Sequence, residues 1–209
     1  MKNENKTLVL SFPRSGMNMF RIFTEFYTDC ETPGTKKIPT KKNTTLERKP
    51  LAFIRSHNLK KFPTIPSGIS HNKMILILRD CKYAFHTSKL GNVFGCTFED
   101  FILNLKDYHN FDGSKMVLYY EEMLLSASPF YAAWDFLEIP YRPIDDFDYA
   151  METSKNIYLK MKGTRKVNNA PSRYPKNISQ ESTAILQNHL SGGELEILSR
   201  YFDVAGDTK

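Results

Sequence analysis

A short, mostly apolar run at residues 8–12 stops at Pro13-Arg14-Ser15-Gly16, after which Phe20, Phe23 and Tyr27 recur at helical spacing. This pattern predicts a strand, a tight loop and a helix. Compact apolar runs at 51–54, 74–78 and 116–119 predict three further strands, each of the kind covered on both faces. Between the last two, Thr97 is the expected N-cap of a helix. That helix carries Glu99 and Asp100 in its first turn, where the dipole favours acids, and Phe98, Phe101, Leu105 and Tyr108 on its apolar face. A second helix is expected to open at Pro129 and bury Phe130, Ala133, Trp134 and Leu137. Further on, Ser179 is placed to cap a helix running to about Leu190, and Leu195, Leu198 and Phe202 form a last amphipathic stripe.

Two stretches show neither period. Residues 32–50 set Lys36, Lys37, Lys41, Lys42, Arg48 and Lys49 among Thr, Pro and Gly, which predicts a mobile surface loop. Residues 155–176 are basic and interrupted by Gly163, Pro171 and Pro175, which predicts irregular structure. Strands alternating with amphipathic helices imply an α/β fold in three layers, with a mainly parallel central sheet, flanking helices and right-handed crossovers. Ligands of such sheets bind at the carboxyl ends of the strands. With 209 residues, 41% of them hydrophobic, the chain can build one continuous core, so residues 1–209 are expected to form a single domain.

Composition narrows the partners. A net charge of +6 favours anions such as nucleotides, nucleic acid, sulfated sugars or acidic membrane surfaces, without choosing among them. The three cysteines, Cys30, Cys81 and Cys96, match neither a zinc site nor a Cys-x-x-Cys pair and are expected to be reduced thiols. The polar start of the chain and its brief first apolar run resemble neither a signal peptide nor a spanning helix, so a soluble, cytoplasmic protein is expected.

The loop at 11–18 has the layout of an anion site, because a strand that ends in a glycine-containing turn and opens a helix presents main-chain N–H groups and the positive end of a helix dipole. It is not the ATPase P-loop: Gly16 is followed by Met17-Asn18-Met19 where that motif needs Lys-Ser/Thr, which argues against ATP with magnesium. Arg14, just before the Ser-Gly turn, suits a bidentate oxyanion clamp, and Arg79, directly after the apolar run at 74–78, can meet a phosphate with two parallel donors. His57 follows the run at 51–54 and, as a group titrating near neutrality, suits a general base.

Taken in order, these segments resemble the PAPS-dependent sulfotransferases, enzymes that use 3′-phosphoadenosine 5′-phosphosulfate (PAPS) and have a P-loop NTPase-like fold. Ser-Phe-Pro-Arg-Ser-Gly-Met-Asn-Met-Phe is similar to that family's Pro-Lys/Arg-Ser-Gly-Thr-Thr-Trp loop, which binds the donor's 5′-phosphosulfate. The resemblance implies that Arg14 sits on the phosphate–sulfate bridge, that Ser15, Gly16, Met17 and Asn18 supply donors, and that Met19 takes the place of a tryptophan beside the adenine. Arg55-Ser56-His57-Asn58-Leu59 looks like the segment that holds the family's catalytic histidine. The segment from Ile75 through Arg79-Asp80 to Ala84 resembles the strand and arginine that bind the 3′-phosphate, with Thr87, or Ser88 beside it, as the accompanying hydroxyl. Tyr119-Tyr120-Glu121-Glu122-Met123 is similar to Tyr-Glu-Asp-Met and places Tyr120 near the adenine, with Thr153-Ser154 as a second adenine-side pair. Met161-Lys162-Gly163-Thr164 resembles the Arg-Lys-Gly loop that closes over the 3′-phosphate, through Lys162 and Gly163.

What this implies is sulfuryl transfer from PAPS to an acceptor hydroxyl, with His57 as base and Arg14 stabilising the leaving group, and with no metal. Two other readings stay open at this point. A nucleotide-dependent phosphotransferase or kinase shares such strand–loop–helix phosphate sites. A non-catalytic polyanion binder would use the basic stretches 36–49 and 155–176. The class of acceptor and the oligomeric state have no signature in the sequence.

Overall fold

A computed structural model describes residues 6–34, 50–57, 71–80, 84, 97–162, 186, 188–199 and 201; for Phe98 and Lys162 it describes the backbone alone. The stretch 35–49, most of 163–190, and Cys81, Cys96, Thr87, Ser88 and Phe202 lie outside the described residues.

Among the described residues four strands form one all-parallel sheet: β1 (Thr7–Ser11), β2 (Ile54–Ser56), β3 (Lys73–Leu78) and β4 (Ser114–Tyr119), in the order β2-β1-β3-β4. Helix α1 (Met17–Tyr27) follows β1, and α2 (Phe98–His109) leads into β4. After β4 come α3 (Tyr120–Met123), α4 (Ser128–Leu137), α5 (Phe147–Lys162) and α6 (Gly192–Ile197). The expected α/β architecture is therefore the observed one.

The period-two pattern of the strands divides the core. Val9, Ile75 and Ile77 point to one face, where Phe20 and Phe23 of α1 and Phe130 and Trp134 of α4 cover them. Leu8, Leu10, Met74, Leu76 and Leu78 point to the other, against Phe101, Leu105 and Tyr108 of α2 and Leu198. Helices thus bury both faces, as an all-parallel sheet requires.

The expected N-cap of α2 is present. Asp100, 1% exposed, accepts a hydrogen bond from the Thr97 main-chain N–H at 2.7 Å, and the Thr97 hydroxyl completes a capping box. Trp134 is fully buried, and its indole N–H donates to Thr24 Oγ1 across 3.1 Å, which fixes α4 against α1. Trp134→Phe keeps most of the packing but strands the Thr24 hydroxyl, so the urea midpoint should fall by an equivalent of about 1–3 kcal/mol; an unchanged midpoint would show that this bond contributes nothing.

Three expectations need correction. The strand expected at 51–54 pairs with β1 at Ile54, Arg55 and Ser56. Residues before it are drawn to the segment after α1, where Glu31 N–H donates to Pro50 O and Ala52 N–H to Glu31 O. Apolarity marked the buried residues, but the ladder was set by the partner strand. β4 starts at Ser114, two residues before the expected run: Ser114 and Lys115 are exposed, whereas Met116 and Leu118 pack on one face of the sheet and Val117 and Tyr119 on the other. Finally, residues 155–162 are not irregular but continue α5. Ile157, Tyr158 and Met161 pack on Ile22 and Phe26 of α1, an apolar face that the surrounding lysines obscured.

Candidate functional site

The strand order creates a switch point. From β1 the chain goes through α1 to β2 on one side, and from β3 it goes through α2 to β4 on the other, with α1 and α2 on opposite faces. The crevice beyond the carboxyl ends of β1 and β3 is where open sheets of this kind take ligands. The loop at 12–16, His57, Arg79 and Tyr120 are the residues that directly follow β1, β2, β3 and β4.

The loop after β1 is a tight turn. Ser15 N–H donates to Phe12 O at 3.2 Å, with Pro13 second in the turn and Arg14 third at φ 73°. This is the signature of a type II turn, whose third position normally holds glycine or asparagine. An arginine there costs about 1–2 kcal/mol, and such strain collects where function needs it. Gly16 follows at φ 104° and begins α1, which has no side-chain cap and no acid in its first turn. Its leading N–H groups therefore keep their positive field. Two side-chain polar atoms of this loop, Arg14 Nε and Ser15 Oγ, are buried without a hydrogen-bond partner among the described residues.

Arg79 joins this loop from the next strand. Its Nη1 donates to Arg14 O at 3.0 Å, and its guanidinium lies 4.4 Å from the centre of the Tyr120 ring. Tyr120 in turn closes on Gly16: a Cβ added there would come within 2.6 Å of the tyrosine Cδ2. Arg14, Gly16, Arg79 and Tyr120 are thus one packed unit. Arg14 Nη1 also reaches the Tyr158 hydroxyl of α5 at 3.4 Å.

His57 is linked to the same strand end. Its Nδ1 lies 2.9 Å from Ser11 O and 3.2 Å from Ser11 Oγ. A carbonyl only accepts, so the proton sits on Nδ1 and Nε2 carries the lone pair. Asn104 of α2 donates through Nδ2 to His57 O at 2.9 Å and fixes the main chain there. Burial pushes the imidazole pKa below its ordinary 6.5, the Ser11 carbonyl opposes this, and the positive charge of Arg55 lowers it further. The ring is accordingly neutral at pH 7.

Asn18, in the first turn of α1, accepts from Arg21 Nη1 at 3.2 Å through Oδ1, so its NH₂ group remains the donor end. Arg21 is 2% exposed and also donates to Thr32 Oγ1 at 3.1 Å, while Glu25 approaches to 3.9 Å. Burial first, then the neighbouring Arg55, lowers the Arg21 pKa to about 10, with Glu25 opposing. Sequence reasoning missed Arg21, although an arginine among Phe20, Phe23 and Thr24 on the apolar face of α1 was a signal. It also gave Arg55 no role beside His57.

Of the other expected site residues, Met17 opens α1 and is buried, and Thr153 lies in α5, which packs along α1. The Lys162 backbone ends α5 rather than lying in a loop. Thr87 and Gly163 are outside the described residues. Among the described residues no helix is long and apolar enough to cross a membrane, and no group of His, Cys, Asp or Glu side chains is assembled to hold a metal ion.

A scan against protein-family models finds no match to this chain, and neither does a search of curated proteins. The class that the fold and the site define is a parallel α/β protein with a strained, arginine-bearing loop at the switch point of its sheet.

Proposed function

We propose that this protein is a PAPS-dependent sulfotransferase that moves a sulfuryl group to an acceptor hydroxyl. The observation that carries this reading is the packed unit of Arg14, Ser15, Gly16 and Arg79, whose buried Arg14 Nε and Ser15 Oγ have no hydrogen-bond partner among the described residues. Buried donors in that state ask for an acceptor-rich ligand. An anion with several oxygens, set at the amino end of α1, meets that demand.

In this reading the acceptor oxygen attacks sulfur, the bond from sulfur to the bridging phosphate oxygen breaks, and the acceptor proton passes to His57 Nε2. The departing 5′-phosphate gains charge, which Arg14 and the first N–H groups of α1 stabilise without reorganising. Asn18, with its amide oriented by Arg21, adds a donor. Arg79 grips the 3′-phosphate, with Thr87, Lys162 and Gly163 as its expected companions and with Tyr120 and Thr153 on the adenine side. A cytoplasmic setting accords with Cys30 being a buried thiol.

The test is a thermal-shift titration with 3′,5′-adenosine bisphosphate against ATP with magnesium. Bisphosphate at a hundred times its Kd should stabilise the fold by about 2.7 kcal/mol, and Arg79→Ala should remove most of that gain. No shift with the bisphosphate, or a larger one with magnesium ATP, would exclude this donor.

A further inference from the structure

One carboxylate near the site is held by a distant part of the chain. The Tyr201 hydroxyl donates to Glu121 Oε2 at 2.5 Å, while Glu121 Oε1 accepts from the Asp80 main-chain N–H at 3.3 Å. Glu121 is the neighbour of Tyr120, and Asp80 is the neighbour of Arg79. The turn that carries Tyr201 is itself anchored. Tyr201 N–H donates to Leu198 O at 2.8 Å, and Leu198 is 1% exposed within the core. The Tyr119 hydroxyl donates to Ile197 O at 3.0 Å, and the Tyr119 and Tyr201 rings meet edge-on with centroids 6.0 Å apart.

We infer that Tyr201 is a positioning residue for the 3′-phosphate grip, acting through Glu121 on the main chain at Asp80. The inference rests on the donor proposed above. With its hydrogen bond from Tyr201 in place, the Glu121 carboxylate has one orientation, and its other oxygen directs how the chain leaves β3. That exit sets the root of the Arg79 side chain, which bridges to Arg14 O and lies over Tyr120. Without the hydroxyl, the carboxylate turns toward water, the Asp80 N–H loses its fixed acceptor, and Arg79 is no longer held in register with the loop. The 5′-group is met directly by the loop and α1 and feels this path only through the bond from Arg79 to Arg14 O, so the larger effect falls on the 3′-phosphate.

Calorimetric titration of the full chain with 3′,5′-adenosine bisphosphate and with adenosine 5′-phosphosulfate separates the two. Tyr201→Phe should weaken the bisphosphate about 5–20-fold, on the order of one hydrogen bond to a charged group, and the 5′-phosphosulfate clearly less. Glu121→Gln should reproduce that selective loss. Tyr119→Phe, which removes the neighbouring bond to Ile197, should lower stability and leave the ratio of affinities as in the wild type. An equal loss for both ligands, or no loss in Tyr201→Phe, overturns the role of Tyr201 while the donor stands. Failure of the wild-type protein to bind the bisphosphate overturns the donor and this inference together.

Discussion

Replacing His57 with alanine is expected to lower kcat/KM for sulfuryl transfer from PAPS by about 10²–10⁴-fold, the usual contribution of a positioned general base. Bisphosphate affinity should stay close to that of the wild type, because the hydrogen bonds that hold the His57 ring run to Ser11 at the end of β1. Its buried, neutral ring also sets a pH dependence. As the proposed base, His57 would work only when deprotonated, and burial and Arg55 place its pKa below 6.5. The rate should therefore be flat above that pH and fall about tenfold per unit beneath the lowered pKa. Arg55→Ala removes a cation that depresses the pKa, so the acid limb should move to higher pH. A pH–rate profile of the two proteins checks this, and an acid limb in the wild type above pH 6.5 would contradict the assignment. The same shift acts on stability. Between the folded and unfolded pKa values the unfolded chain binds the extra proton, so stability declines as pH falls from 6.5 and levels off below the folded pKa.

Gly16→Ala should be the most damaging single change in the loop. At φ 104° any L-residue costs about 1–2 kcal/mol. The added Cβ also meets Tyr120 Cδ2 at 2.6 Å, and that ring cannot retreat without disturbing Arg79 above it. Strain and overpacking together should destabilise the protein by roughly 2–5 kcal/mol and weaken bisphosphate binding more than tenfold. Combining it with Tyr120→Ala relieves the collision but not the backbone strain, so stability should recover in part. Wild-type affinity in Gly16→Ala would mean that the anion binds elsewhere.

Much of this arrangement was legible in the chain. The apolar run at 8–12, Pro13 and Gly16 announced the turn, because proline and a residue with positive φ are local requirements. Thr97 with Asp100 announced a helix start for the same reason. Arg79 stood directly after the apolar run that became β3, and His57 three residues past the run at 51–54, whose last residue opens β2; that sufficed to put both at strand ends. What could not be read was contact across long separations. Nothing in the sequence tied Arg21 to Thr32, which receives its guanidinium where the segment after α1 folds back. The apolar face of α5 was hidden among lysines until α1 gave it a surface.

By itself, then, the sequence determined the elements that depend on neighbours within a few residues: the loop after β1, the cap of α2, the apolar strands and an α/β class. Tertiary structure alone decided the order β2-β1-β3-β4, the closure of Tyr120 on Gly16, and the reach of Tyr201 to Glu121. Those contacts join residues far apart along the chain. They form only once burial of both sheet faces has offset the entropy of bringing the segments together.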